Sequence, residues 1–99
     1  MQKKYTPFLQ NIYETCKQLG LVETQYQFSQ LCGRKTSWFS ANKTRDLPIS
    51  TAAAYTLAIR LKENAQSDLP RKLRPHAYAM SALLLAMINE RARKKREDQ

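Results

Sequence analysis

Apolar residues recur along most of this chain at spacings of three and four, the signature of helices with one buried face. In the first such segment Phe8, Leu9, Ile12, Cys16 and Leu19 fall on one side. Thr6 is placed to cap this helix, Pro7 to open it and Gly20 to end it. Thr24 and Gln27 then have the spacing of a capping box, which predicts a second helix from Gln25 to Cys32, ended by Gly33 in a left-handed conformation. Thr36 or Ser37 offers a hydroxyl cap for a third helix, running through Trp38, Phe39, Ser40, Ala41, Asn42 and Lys43. Beyond Pro48, Ser50 caps a fourth from Thr51 to about Asn64, with Ala54, Leu57, Ala58, Leu61 and Ala65 inward. Ser67 to Pro75 contains two prolines and reads as a connector that sets the C-terminal segment apart. From His76 to about Arg93 a last helix carries Met80, Leu83, Leu84, Met87 and Ile88 on one broad face.

The pattern therefore predicts an all-α protein, a compact bundle of about five helices, with no internal repeat and no useful β-alternation. Residues 1–66 form the bundle, 67–75 a basic connector and 76–99 a C-terminal helix with a basic tail, one structural domain overall. The last helix has more apolar surface than a small bundle needs. It packs back on its own core, or Met80, Leu83, Leu84, Met87 and Ile88 face a second copy in a symmetric dimer.

Charge changes the picture. Seventeen Lys and Arg against eight Asp and Glu give a formal charge of +9 on 99 residues, with a pI near 9.9, which points to an acidic partner. One cationic group, Arg34, Lys35, Lys43 and Arg45, flanks or occupies the third helix. A second comprises Arg71, Lys72 and Arg74; a third comprises Arg91, Arg93, Lys94, Lys95 and Arg96, either a solvated tail or a phosphate-contacting segment.

Between Gln25 and Arg45 the chain thus reads as two short helices joined by a glycine turn, the second basic and without an acid. Ser29, Gly33 and Phe39 supply a small residue, a glycine four later and an apolar residue six after that. On these residues the segment resembles the helix-turn-helix of the phage-repressor and Cro-like DNA-binding family, over roughly Gln25 to Leu61. Arg34 and Asn42 stand where that family has aliphatic residues. Pro48 and Ser50, before the fourth helix, agree with it.

Burying Phe39 orients the third helix so that Lys35, Thr36, Ser37, Ser40 and Ala41 are candidates for base contacts. Arg34, Lys43, Thr44 and Arg45 are candidates for the DNA backbone, with Arg34 and Lys35 both able to read a guanine. The resemblance adds Gln25, at the start of the supporting helix, as a further backbone contact. Trp38 packs against the fourth helix or meets deoxyribose and thymine methyl groups. The expectation is a double-stranded DNA-binding regulator, a repressor rather than an activator, acting as a homodimer on an inverted-repeat operator. The alternatives are an accessory DNA-binding protein of a plasmid or mobile element, and a protein-interaction module such as an antitoxin or adaptor.

Other chemistry is sparse. There is no nucleophile–base pair, Gly-rich phosphate loop or metal-ligand constellation, so no enzyme, cofactor or small-molecule ligand is expected. Cys16 and Cys32 fall within amphipathic helices and read as buried thiols, and the single His76 as structural. The start lacks the apolar core of a signal peptide, and Ala82 to Ile88, the longest apolar run, is too short to span a membrane; a cytoplasmic protein is expected.

Overall fold

The computed structural model describes residues 3–97, with side chains through Lys95. The protein is all-helical: α1 (Thr6–Gln18), α2 (Gln25–Leu31), α3 (Trp38–Arg45), α4 (Thr51–Ser67), a 3₁₀ turn at Arg71–Leu73, and α5 (Arg74–Glu97). The tail expected through residue 99, and the Arg96 side chain, lie outside what is described.

The first three helices end alike. Gly20, Gly33 and Asp46 have φ of 79°, 73° and 51°. Each leaves the chain in the left-handed region, where the next amide reaches back five residues: Leu21 to Cys16, Arg34 to Ser29, Leu47 to Asn42. This satisfies carbonyls orphaned at a helix end. Gly33 is needed twice over, because a Cβ there would lie 3.1 Å from Thr56 Cγ2 of α4.

The helix starts depart more from expectation. Thr24 Oγ1 accepts from the Gln27 amide at 3.2 Å, as the capping box requires, but the Gln27 side chain accepts from the Glu23 amide instead of reaching Thr24. Ser50 caps α4 through the Ala53 amide. Thr6 does not cap α1. It is the first helical residue, and the Asp46 carboxylate from the end of α3 receives the amides of Lys4, Tyr5 and Thr6 at 2.7 to 2.9 Å. Neither Thr36 nor Ser37 caps α3; Ser29 Oγ, wholly buried on α2, accepts from the Phe39 amide at 3.0 Å.

The core is one cluster in which Leu9, Ile12 and Cys16 of α1, Phe28 of α2, Phe39 of α3 and Leu57 and Leu61 of α4 are almost fully enclosed. Tyr13, Phe28 and Phe39 meet with ring centroids 4.9 to 5.4 Å apart, a spacing at which aromatic pairs attract beyond area burial. Cys16 and Cys32 are free thiols inside it, and burial pushes Cys16 up to about 12 and Cys32 higher still.

The C-terminal third differs from expectation. α4 runs on to Ser67, and α5 begins at Arg74, two residues before His76. Pro75 sits in its first turn, where a missing N–H removes no helical bond. α5 is not set apart: it runs antiparallel along α4, with Ala77, Ser81 and Leu84 fully enclosed and Ser81 Oγ donating to the Ala58 carbonyl at 2.7 Å. Leu84 is therefore core, and its assignment to a dimer face is corrected. Met80, Met87 and Ile88 are partly buried against the same core, and Leu83, half exposed, faces outward. Among the described residues no helix is long and apolar enough to cross a membrane.

Candidate nucleic-acid interface

The candidate surface is built by α2, the turn of residues 33–36 and α3. Phe39 and Asn42 fix the rotation of α3. Phe39 enters the aromatic cluster, and Asn42, three residues on and on the same face, is largely buried with its amide nitrogen 3.4 Å from the Pro48 carbonyl. Asn42, at a position where an apolar residue was expected, thus ties α3 to the loop leading into α4.

With those two residues inward, Ser40, Ala41, Thr44 and Arg45 are exposed on the opposite side of α3. Lys35, Thr36 and Ser37 are exposed at its N-terminal approach, beside Arg34. The candidates for base contact are thus all exposed, at the approach to α3 and along its outer side. Thr44 Oγ1 donates to the Ser40 carbonyl at 3.1 Å, which leaves its oxygen able to accept. Lys43 is half-buried, with its ammonium 4.7 Å from the centroid of the Phe39 ring. It thus lies folded back along its own helix, not extended beyond it.

The turn is braced from behind. The Arg60 guanidinium donates to the Gln30 and Leu31 carbonyls, the latter at 2.9 Å, and so closes the end of α2. Gly33, Arg34, Lys35, Ser37 and the half-buried Trp38 line a surface depression. The Trp38 ring centroid lies 6.4 Å from that of Phe28 on α2, and Trp38 also borders the cationic turn. A second depression joins α2 to α3 through Thr24, Gln25, Tyr26 and Ser40. Tyr26 at 65% exposure is the most exposed large apolar side chain among the described residues; a position on the outer face of a short helix gave no reason to single it out.

Electrostatically the surface is one-sided. From Thr24 to Arg45 there are four cations and no Asp or Glu. The first acid after it, Asp46, is turned toward the start of α1, where the Lys4 amide and then those of Tyr5 and Thr6 hold its carboxyl down to about 2. It is ionised at neutral pH, with its charge spent on backbone donors away from the outer face of α3. Among the described residues no three His, Cys, Asp or Glu side chains come together as a metal site.

A small helical domain presenting a short, acid-free helix on a braced turn is the class that fold and surface define. By sequence the chain belongs to the DUF6626 family, a family of unknown function, which it matches over residues 9–97. No curated protein and no solved structure matches it significantly.

Proposed function

We propose that this protein is a sequence-specific double-stranded DNA-binding regulator that inserts α3 into the major groove and represses by occupying its operator. The observation that carries the reading is the outer face of α3 and its turn. Hydroxyls and a methyl group that suit base edges stand on Thr36, Ser37, Ser40 and Ala41, cations suited to phosphates flank them, and no Asp or Glu occurs from Thr24 to Arg45. Lys35 reads a base edge from the approach to the helix. Arg34, Arg45 and, once lifted from Phe39, Lys43 take phosphates, with Gln25 and Thr44 at the margins. The protein acts as a homodimer through the outer flank of α5, where Met80, Leu83 and Met87 replace the wider face expected from sequence.

Selection from a random duplex pool, with sequencing of the retained duplexes, tests the reading. The expected outcome is enrichment of an inverted repeat. Thr36→Ala and Ser40→Ala should then relax preference at one or two base pairs, by about 1 to 3 kcal/mol each. Arg45→Ala should weaken all sequences alike and reduce the salt slope by about one unit. No enrichment, with retained binding to an acidic protein, would favour an adaptor instead.

A further inference from the structure

Lysines near one end of the chain lie beside the last turn of α3, and lysines near the other lie beyond the first turn of α4. Lys3 Nζ donates to the Lys43 carbonyl at the end of α3, at 2.8 Å, and the Lys4 amide is bound by Asp46. α5 runs back along α4 until Arg91 donates to Thr51 Oγ1 at 3.1 Å, at the first residue of α4. Lys94 and Lys95 come within one turn of it, about 5 Å further along the axis, and so project past the start of α4. Only the five residues 46–50 separate that point from Arg45.

Among the described residues, acids do not balance this end. Asp46 is engaged by amides, and Glu90 pairs with Arg93 at 2.6 Å. Lys3, Lys4, Arg45, Lys94 and Lys95 are all exposed.

We propose that Lys3, Lys4, Lys94 and Lys95 form a second phosphate-binding surface, continuous with Lys43 and Arg45, which holds duplex backbone outside the groove occupied by α3. The proposal rests on the DNA-binding reading and extends it from the reading helix to both ends of the chain. Duplex DNA fits better than an anionic membrane. Tyr5, Phe8 and Leu47 at this end are only 37%, 38% and 39% exposed, too little to insert among acyl chains, whereas spaced ammonium groups suit a phosphate backbone.

The test uses the full chain and three double variants: Lys3→Gln/Lys4→Gln, Lys94→Gln/Lys95→Gln, and Lys62→Gln/Lys72→Gln, which removes the same charge elsewhere. Binding to a fluorescently labelled mixed-sequence duplex of about 30 base pairs is followed over a range of salt concentrations, since the slope of log affinity against log salt counts neutralised phosphates. Circular dichroism checks that each variant is folded. The first two variants should each lower the slope by about 1 to 2, and the third should leave it unchanged. Equal slopes for the parent and the two end variants would overturn the proposal, as would an equal loss in all three, which reports net charge alone. Loss of binding to phosphatidylserine-containing vesicles by the end variants, with duplex slopes unaltered, would overturn it in favour of a membrane surface. A parent that binds no duplex removes the DNA-binding reading itself; a parent that binds, with unaltered slopes, removes only this surface.

Discussion

Two residues decide how the short helices join, and both act through backbone conformation. Asp46 ends α3 in the left-handed region and at the same time receives the first amides of α1. Its carboxyl is lowered from the ordinary 3.8 to about 2, so its stabilisation is complete above pH 4 and is lost as the pH falls from about 4 through 2. Asp46→Asn keeps a residue that tolerates this conformation but removes the charge. Thermal unfolding should therefore show the variant less stable than the parent at neutral pH, the gap closing between pH 4 and 2; a constant gap would mean the carboxylate charge is not what caps α1. At Gly33 two costs combine, a positive φ and a 3.1 Å approach to Thr56 Cγ2. Gly33→Ala should destabilise by about 1 to 2 kcal/mol in urea denaturation, the order of the left-handed penalty for an L-residue with the contact added. Thr56→Ser removes the offending methyl, so in its background the loss should shrink without vanishing. An unchanged loss would assign the whole cost to φ.

At the scale of elements, what could be read from the sequence was whatever depends on near neighbours. Gly20, Gly33, Thr24 and Ser50 act within a few residues of themselves, and the structure bears out the helix boundaries they imply. The caps assigned to Thr6 and to Thr36 or Ser37 failed for one reason: the true acceptors lie far along the chain. Asp46 is forty residues from Thr6, and Ser29 is ten from Phe39, distances at which no spacing rule operates. The same limit left open whether α5 packs on its own core or on a second copy, since a stripe of Met80, Leu84 and Met87 looks alike whether its partner is α4 or another molecule. The outward face of α3 was legible, because burying Phe39 sets the direction of its neighbours; the folded-back Lys43 was not. Ser29→Ala should test the α2–α3 bond. It leaves the Phe39 amide buried without an acceptor, at a cost of about 1 to 3 kcal/mol, and it loosens α3 on α2. Hydrogen exchange should quicken at the first amides of α3 more than in α4. Uniform quickening would show that this bond serves global stability and not the seating of α3.

At the scale of the whole molecule, α5 carries both enclosed and exposed apolar residues, and that difference makes the proposed dimer testable. Leu84 is enclosed within one chain, whereas Leu83 is half exposed and Met87 only partly covered. Leu84→Glu places a charge in the core and should unfold the protein. Leu83→Glu/Met87→Glu should instead leave the helical signal intact, so loss of assembly can be told from loss of fold. If the outer flank of α5 pairs across a two-fold axis, the parent sediments as a dimer at micromolar concentration and the double variant as a folded monomer. If α3 reads DNA as proposed, a linked pair of such helices binds an inverted repeat with half-sites about 10 base pairs apart, centre to centre. Severing the link should lower affinity for that repeat by about 10² to 10⁴ while sparing weak binding to a half-site. The dependence on half-site spacing should disappear with it, which a defect in α3 alone would not cause. A parent that sediments as a monomer, both free and with the duplexes it selects, would end the dimer and leave Leu83 exposed and Met87 at the edge of the single-chain core.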